Sequence, residues 1–163
     1  LMILAFVPII IYNISGIRKS LAQDILIGNY RKGILNTVSG IKSQLGHDNV
    51  FYFYTENNGF YEFQSGFGQT LAVWFYSTGK IPKEALTDRD YWDLSYEGIK
   101  IYPEGGYGYF MTYGKLQQAL KENPNITLNQ VFSFYWDPQK HTVKNVSENI
   151  REKLKKDIAN EKN

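Results

Sequence analysis

The chain has no cysteine, which excludes disulfides, thiolate zinc sites and cysteine nucleophiles and leaves the redox compartment open. Histidine is nearly absent. His47 and His141 are the only two, so a Ser-His-Asp triad would have to use one of them, and no nucleophile-elbow motif is present. Net charge is only +2, with no lysine-arginine stripe among the aromatics, so nucleic acid is not an expected partner. Gly105, Gly106 and Gly108 are not followed by a lysine-serine or lysine-threonine pair and read as a turn, not a phosphate loop.

Apolar and aromatic residues are plentiful. The 163 residues are 43% hydrophobic and 21% charged, which suits one folded domain with a real core and a flanking helix or two. Aromatics make up 16%, with 13 Tyr, 10 Phe and 3 Trp. Such residues fill strands, and their polar tips also suit sugar-stacking sites and membrane interfaces.

Leu1 to Tyr12 is an uncharged run, LMILAFVPIIIY. As a helix it reaches about 18 Å, short of the roughly 30 Å hydrocarbon layer. It carries neither a positive n-region nor a small-residue cleavage site, so the expectation is a truncated transmembrane helix over residues 1–13. A buried helix or strand is the other reading. Residues 14–46 then read as juxtamembrane amphipathic helices. Ile17, Leu21 and Ile25 recur at four-residue spacing, followed by Ile34, Val38, Ile41 and Leu45. Gly28 and Gly33 predict a break or kink, and Gly46 a C-cap. Arg18, Lys19, Arg31 and Lys32 lie near the expected membrane end, a basic bias that points to the cytoplasm.

Residues 47–163 read as a soluble α/β domain. Val50–Tyr54 is a buried strand, Thr55–Gly59 a polar loop, and Phe60–Tyr76 a helix returning onto the sheet, half of a βαβ unit. Glu97–Tyr102 and Tyr107–Thr112 form a candidate hairpin around Pro103-Glu104-Gly105-Gly106, and Tyr113–Glu122 a short helix stopped by Asn123-Pro124. Val131–Tyr135 echoes Val50–Tyr54, suggesting two central strands in similar surroundings. His141–Val146 reads as a partner strand. The last helix starts near Ser147 as its N-cap and docks by Ile150, Leu154 and Ile158. The expected fold is a small open mixed sheet of about four to five strands with packed helices.

Candidate chemistry is thin. Asp88-Arg89-Asp90 has the D-x-D form that holds metal-bound nucleotide sugars in many glycosyltransferases, although carboxylates at this density are ordinary in turns. Glu56, Asn57 and Asn58 occupy the strand-end loop, where open α/β sheets bind ligands. Asp137 and His141 follow the second similar strand; as a metal pair they lack further ligands. The candidate ligand-binding residues are Glu56, Asn57, Asn58, Trp92, Asp93, Tyr107, Asp137 and His141, with no catalytic residue and no metal site. Asn13-Ile-Ser15, Asn125-Ile-Thr127 and Asn145-Val-Ser147 fit the glycosylation acceptor pattern, which chance supplies readily.

Tyr91-Trp92-Asp93-Leu94-Ser95-Tyr96 loosely resembles the W-W-D-Y-G motif of oligosaccharyltransferase catalytic subunits, but only Trp92-Asp93 matches. No role carries over. The order of segments resembles the C-terminal soluble region of polytopic GT-C type membrane glycosyltransferases, the dolichyl- or undecaprenyl-phosphate-sugar dependent enzymes of the mannosyltransferase kind. The residues that carry it are VFYFYTENN, then FYEFQSGFGQTLAVWFYSTG, and within it Phe63-Gln64-Ser65-Gly66-Phe67-Gly68-Gln69-Thr70-Leu71. That resemblance implies an accessory domain outside the membrane, against the positive-inside bias. It places the catalytic aspartate in an upstream loop and makes the upstream transmembrane domain and the lipid membrane its partners. The lipid-phosphate sugar donor is implied for the parent enzyme, and no cofactor for this segment. The alternative is a single-span, membrane-anchored, non-enzymatic module that binds or senses sugar or peptide through its tyrosine-rich face.

Overall fold

A computed structural model describes residues 2–56, 66–93 and 95–160, and side chains from residue 12 onward. It is an α/β fold built on one open mixed sheet of five strands, β1 (Asn49–Tyr54), β2 (Gly98–Tyr102), β3 (Gly105–Phe110), β4 (Val131–Asp137) and β5 (Thr142–Asn145), in the order β2-β3-β1-β4-β5. β1 runs parallel to both β3 and β4, while β2 and β5 close the edges antiparallel. The four helices are α1 (Met2–Val38), α2 (Phe67–Tyr76), α3 (Tyr113–Glu122) and α4 (Ser147–Asn160).

Strand alternation sorts the side chains onto two faces. Phe51, Phe53, Tyr107, Tyr109, Phe132, Phe134 and Trp136 point to one face, covered by α2 and the last turns of α1. Val50, Tyr52, Phe110 and Val131 point to the other, covered by Leu116 and Leu120 of α3 and by Ile150 and Leu154 of α4. The aromatic pairs on the first face are closely stacked, with Phe51–Phe75 at 5.4 Å and Phe53–Phe134 at 4.9 Å. Both faces of the central strands are therefore buried, which is why their sequences read as continuous apolar runs. The similarity of Val50–Tyr54 and Val131–Tyr135 has a spatial counterpart: the two strands are neighbours and pair in that same alignment, from Val50↔Val131 to Tyr54↔Tyr135.

Several expectations change. No break occurs at Gly28 or Gly33: α1 is one helix of 37 residues, followed by a 3-10 turn at Ser39–Gln44. A Cβ at either glycine would meet nothing within 4 Å, so both sit on open helix surface. The apolar stripe divides. Ile34, Val38, Ile41 and Leu45 are buried in the domain core, whereas Ile17, Leu21 and Ile25 are exposed. Among the residues whose side chains are described, no helix is long and apolar enough to cross a membrane; residues 1–11 lie outside that set.

Gly46 is not a helix cap. Its N–H and carbonyl are both held by the Asn49 side-chain amide, at 3.0 Å each, and the same amide donates to the Lys80 carbonyl at 2.9 Å. Gly66 lies outside the helix expected over Phe60–Tyr76. It takes a left-handed φ of 85° immediately before α2, and residues 60–65 of that helix lie outside the described residues. Gly68 does serve close packing: a Cβ there would be 3.1 Å from Cγ of Tyr109. Ser147 does not cap its own helix. Its hydroxyl accepts the Ser133 N–H at 2.9 Å and donates to Oδ1 of Asn145 at 2.6 Å, fastening α4 to β4.

Candidate functional site

In an open α/β sheet, ligands bind outside the carboxyl ends of the parallel strands, where adjacent connections leave to opposite faces. The chain leaves β1 toward α2 on one face and leaves β3 toward α3 on the other. The switch point is therefore the crevice between Tyr54-Thr55-Glu56 and Met111-Thr112.

A carboxylate of the chain itself is held there. Glu97 accepts the backbone N–H of Met111 at 2.6 Å and that of Thr112, accepts the Thr112 hydroxyl at 3.0 Å, and pairs with Lys115 at 2.7 Å. Its side chain is 5% exposed. Burial alone would raise its pKa, but the lysine and the N–H donors outweigh that and hold it below the usual carboxylate range. Glu97 thus ties down the backbone that leads into α3, through the N–H groups of Met111 and the N-cap residue Thr112. The sequence offered no signal for this, because Glu97 lies before β2, fifteen residues from Thr112.

Beside it runs a row of tyrosines: Tyr113 to Tyr52 at 6.2 Å, Tyr52 to Tyr54 at 5.1 Å and nearly parallel, Tyr54 to Tyr135 at 5.4 Å. The Tyr113 hydroxyl donates to Asp157 at 2.7 Å, and the Lys153 ammonium stands 4.1 Å from the Tyr113 ring centroid. Burial raises the pKa of Tyr52, Tyr54, Tyr113 and Tyr135, reinforced by Tyr54 at Tyr52, by Asp157 at Tyr113 and by the Glu56 carboxylate at Tyr135. At neutral pH these phenols are protonated donors, not bases. Tyr52 is buried and Tyr113 is already partnered, so the half-buried Tyr54 and Tyr135 are what the row presents to a ligand, groups suited to contact more than to bond cleavage.

Comparison with family models, curated proteins and solved structures finds no match to this chain. The site is read from its own residues.

Glu56 lies exposed at the carboxyl end of β1, against the Tyr135 hydroxyl. Asn57 and Asn58 lie outside the described residues. Trp92 is 55% exposed, and its ring backs onto Gly66, where a Cβ would be 3.0 Å from Cε3. Asp93 is exposed and accepts from the Ser95 N–H and hydroxyl at 2.9 and 2.8 Å. Tyr107 offers no surface to a ligand: it is fully buried, its hydroxyl donates to the Gly68 carbonyl, and its own carbonyl accepts the Tyr91 hydroxyl at 2.7 Å. Asp137 turns the β4–β5 hairpin by accepting the N–H groups of Gln139 and Lys140 at 3.1 Å. His141, at a left-handed φ of 48°, stacks on Tyr30 of α1 at 4.7 Å. The structure thus brings Glu56 to the tyrosine row and puts Asp137 and His141 into the joint between the hairpin and α1.

Asp88 and Asp90 are both paired with Lys100, and Asp88 also accepts the Tyr102 hydroxyl at 2.7 Å. The D-x-D sequence is therefore a clamp on the edge strand β2. Among the described residues no group of three His, Asp or Glu side chains is placed to hold a metal. A groove of about 530 Å³ lined by Leu120, Ile126, Leu128 and Ile158 lies toward the amino end of β4, away from the switch point.

Proposed function

We propose that this chain is an accessory domain on the extracytoplasmic side of a membrane glycosyltransferase that moves sugar from a lipid-phosphate donor to protein or glycan, with the catalytic residues upstream. The observation that carries this reading is α1. One helix runs unbroken from Met2 to Val38, out of an uncharged apolar segment and into the core, where Ile34, Leu35 and Val38 pack beneath the sheet. A helix that is continuous through its junction holds the domain at a set distance and orientation from its anchor. The switch point is compatible with a helping role, because the groups it leaves accessible are Tyr54, Tyr135 and Glu56, which suit contact with an acceptor more than bond cleavage.

The reading makes two demands. The upstream gene sequence should encode many further spans and an acidic residue in the first extracytoplasmic loop. A start codon within about thirty residues of Leu1 would allow only one span, which needs about twenty residues, and would end the glycosyltransferase reading. The segment Asn13–Asn163, produced alone, should fold and show no sugar transfer; transfer by that segment would move the active site into this domain.

A specific observation favours the second reading, a single-span binding module. Trp92 is exposed although its short helix is pinned by the buried Tyr91 and by Asp88, whose carboxylate accepts the Asp90 N–H at 3.0 Å. A fixed, open indole is a natural stacking surface for a sugar or a peptide side chain. The upstream sequence separates the two readings.

A further inference from the structure

From Tyr12 to Leu26 the described side chains of α1 lie open to solvent. Tyr12, Ile14, Ile17, Leu21, Ile25 and Leu26 are 80%, 45%, 66%, 57%, 56% and 49% exposed, and burial in the core begins only at Ile34. Each buried isoleucine or leucine is worth about 1.5–3 kcal/mol relative to water, and a helix rich in β-branched residues gains little from propensity alone. The part from Tyr12 to Ile17 continues the uncharged run and is the part built to be covered.

Charge says by what. From Leu1 through Ile17 there is no charged residue, and Arg18 and Lys19 come next. The helix crosses Asn13 without a cap or break, so the apolar run does not stop at Tyr12. From Met2 to Ile17 the helix carries no charge over about 24 Å. Arg18 and Lys19 then fall where long basic side chains reach the headgroup phosphates. Asn13 lies about 6 Å below Ile17 along the axis, within a side chain's reach of the polar layer. A second copy of the helix is the competing cover. It would use one face, whereas the sequence Leu1–Tyr12 offers no polar position to leave outside such a pairing, the pattern of a membrane span.

We propose that the bilayer covers α1 as far as Ile17, with the hydrocarbon boundary between Ile17 and Arg18 and with Leu21 in the headgroup layer. This rests on the membrane reading above and adds to it where the span ends. It leaves about 18 Å of helix, Lys19 to Tyr30, as a rigid stalk between bilayer and domain.

Because the chain has no native cysteine, single cysteines report position cleanly. The full chain would carry Ile9→Cys, Ile14→Cys, Ile17→Cys, Leu21→Cys or Lys32→Cys, each labelled with an environment-sensitive nitrobenzoxadiazole dye. Each would be reconstituted into vesicles of phosphatidylcholine and phosphatidylglycerol, with helicity checked by circular dichroism. The expected result is blue-shifted emission, quenched by spin-labelled lipid, at 9, 14 and 17, an intermediate shift at 21 and a water-like spectrum at 32. Lipid-like emission at 9 with water-like emission at 14 and 17 would overturn the boundary and leave the membrane reading standing. Water-like emission at all five would overturn both. A blue shift at 14 and 17 that persists without vesicles would assign the stripe to a second copy of the chain and overturn the proposal.

Discussion

A methyl group on Gly105 would lie 1.9 Å from the His47 carbonyl oxygen, and the residue sits at φ +141°, so neither contact nor backbone tolerates a side chain. Gly105→Ala should cost more than about 4 kcal/mol, in the range reserved for backbone strain and overpacking, measured by urea unfolding. Gly114→Ala is the control. A Cβ there meets nothing within 4 Å inside α3, so the same change should stabilise by about 0.4–1 kcal/mol by restricting the unfolded chain. Glu97 makes the second residue-scale prediction. Its pKa is held below the ordinary value, so its contribution is present above the unfolded glutamate pKa of about 4.3 and is lost as pH falls through the lower folded value. Glu97→Ala should cost about 2 kcal/mol at neutral pH and flatten the loss of stability in acid. An unchanged acid profile would count against the cap. The chain marked Gly105 as part of a hairpin turn, as found, but not its approach to His47, 58 residues away, and gave no signal for the pairing of Glu97 with Thr112, 15 residues on.

At the scale of elements, the joint between β4 and α4 rests on two serines. Ser147 holds the Ser133 N–H, while the Ser133 hydroxyl is buried with no hydrogen-bond partner. Ser133→Ala should therefore be neutral or stabilising by up to about 1 kcal/mol. Ser147→Ala, which orphans a buried N–H, should cost about 1–3 kcal/mol; equal effects of the two, by thermal or urea unfolding, would contradict this asymmetry. Ser133 stands opposite Tyr52 in the strand pair, the one position where the two five-residue runs differ. The β1 and β4 runs were legible because strands buried on both faces need apolar residues throughout. The hairpin and α3 were legible through turn residues and helical spacing. The continuity of α1 was not, because two exposed glycines weaken a helix without breaking it when its far end is anchored by packing.

For the whole molecule, stability should come from the sheet and its two helical layers. A chain beginning at Ile27 lacks a segment whose described side chains are exposed, and should unfold within about 0.5 kcal/mol of the full chain. A larger loss by chemical denaturation would mean that the stalk supports the domain. The sequence alone determined the α/β class, the strands and the limits of α3, because periodicity and turn chemistry are local and survive without knowledge of neighbours. It also marked the residues around the strand-end loop, of which Glu56 meets the tyrosine row. Only the tertiary structure decided that β1 and β4 are partners in register and that Asp88 and Asp90 are bound to Lys100. It likewise buried Tyr107 and tied Glu97 to the backbone leading into α3. Each of those depends on charges and donors brought together across the fold, and a carboxylate's role is set by what it meets.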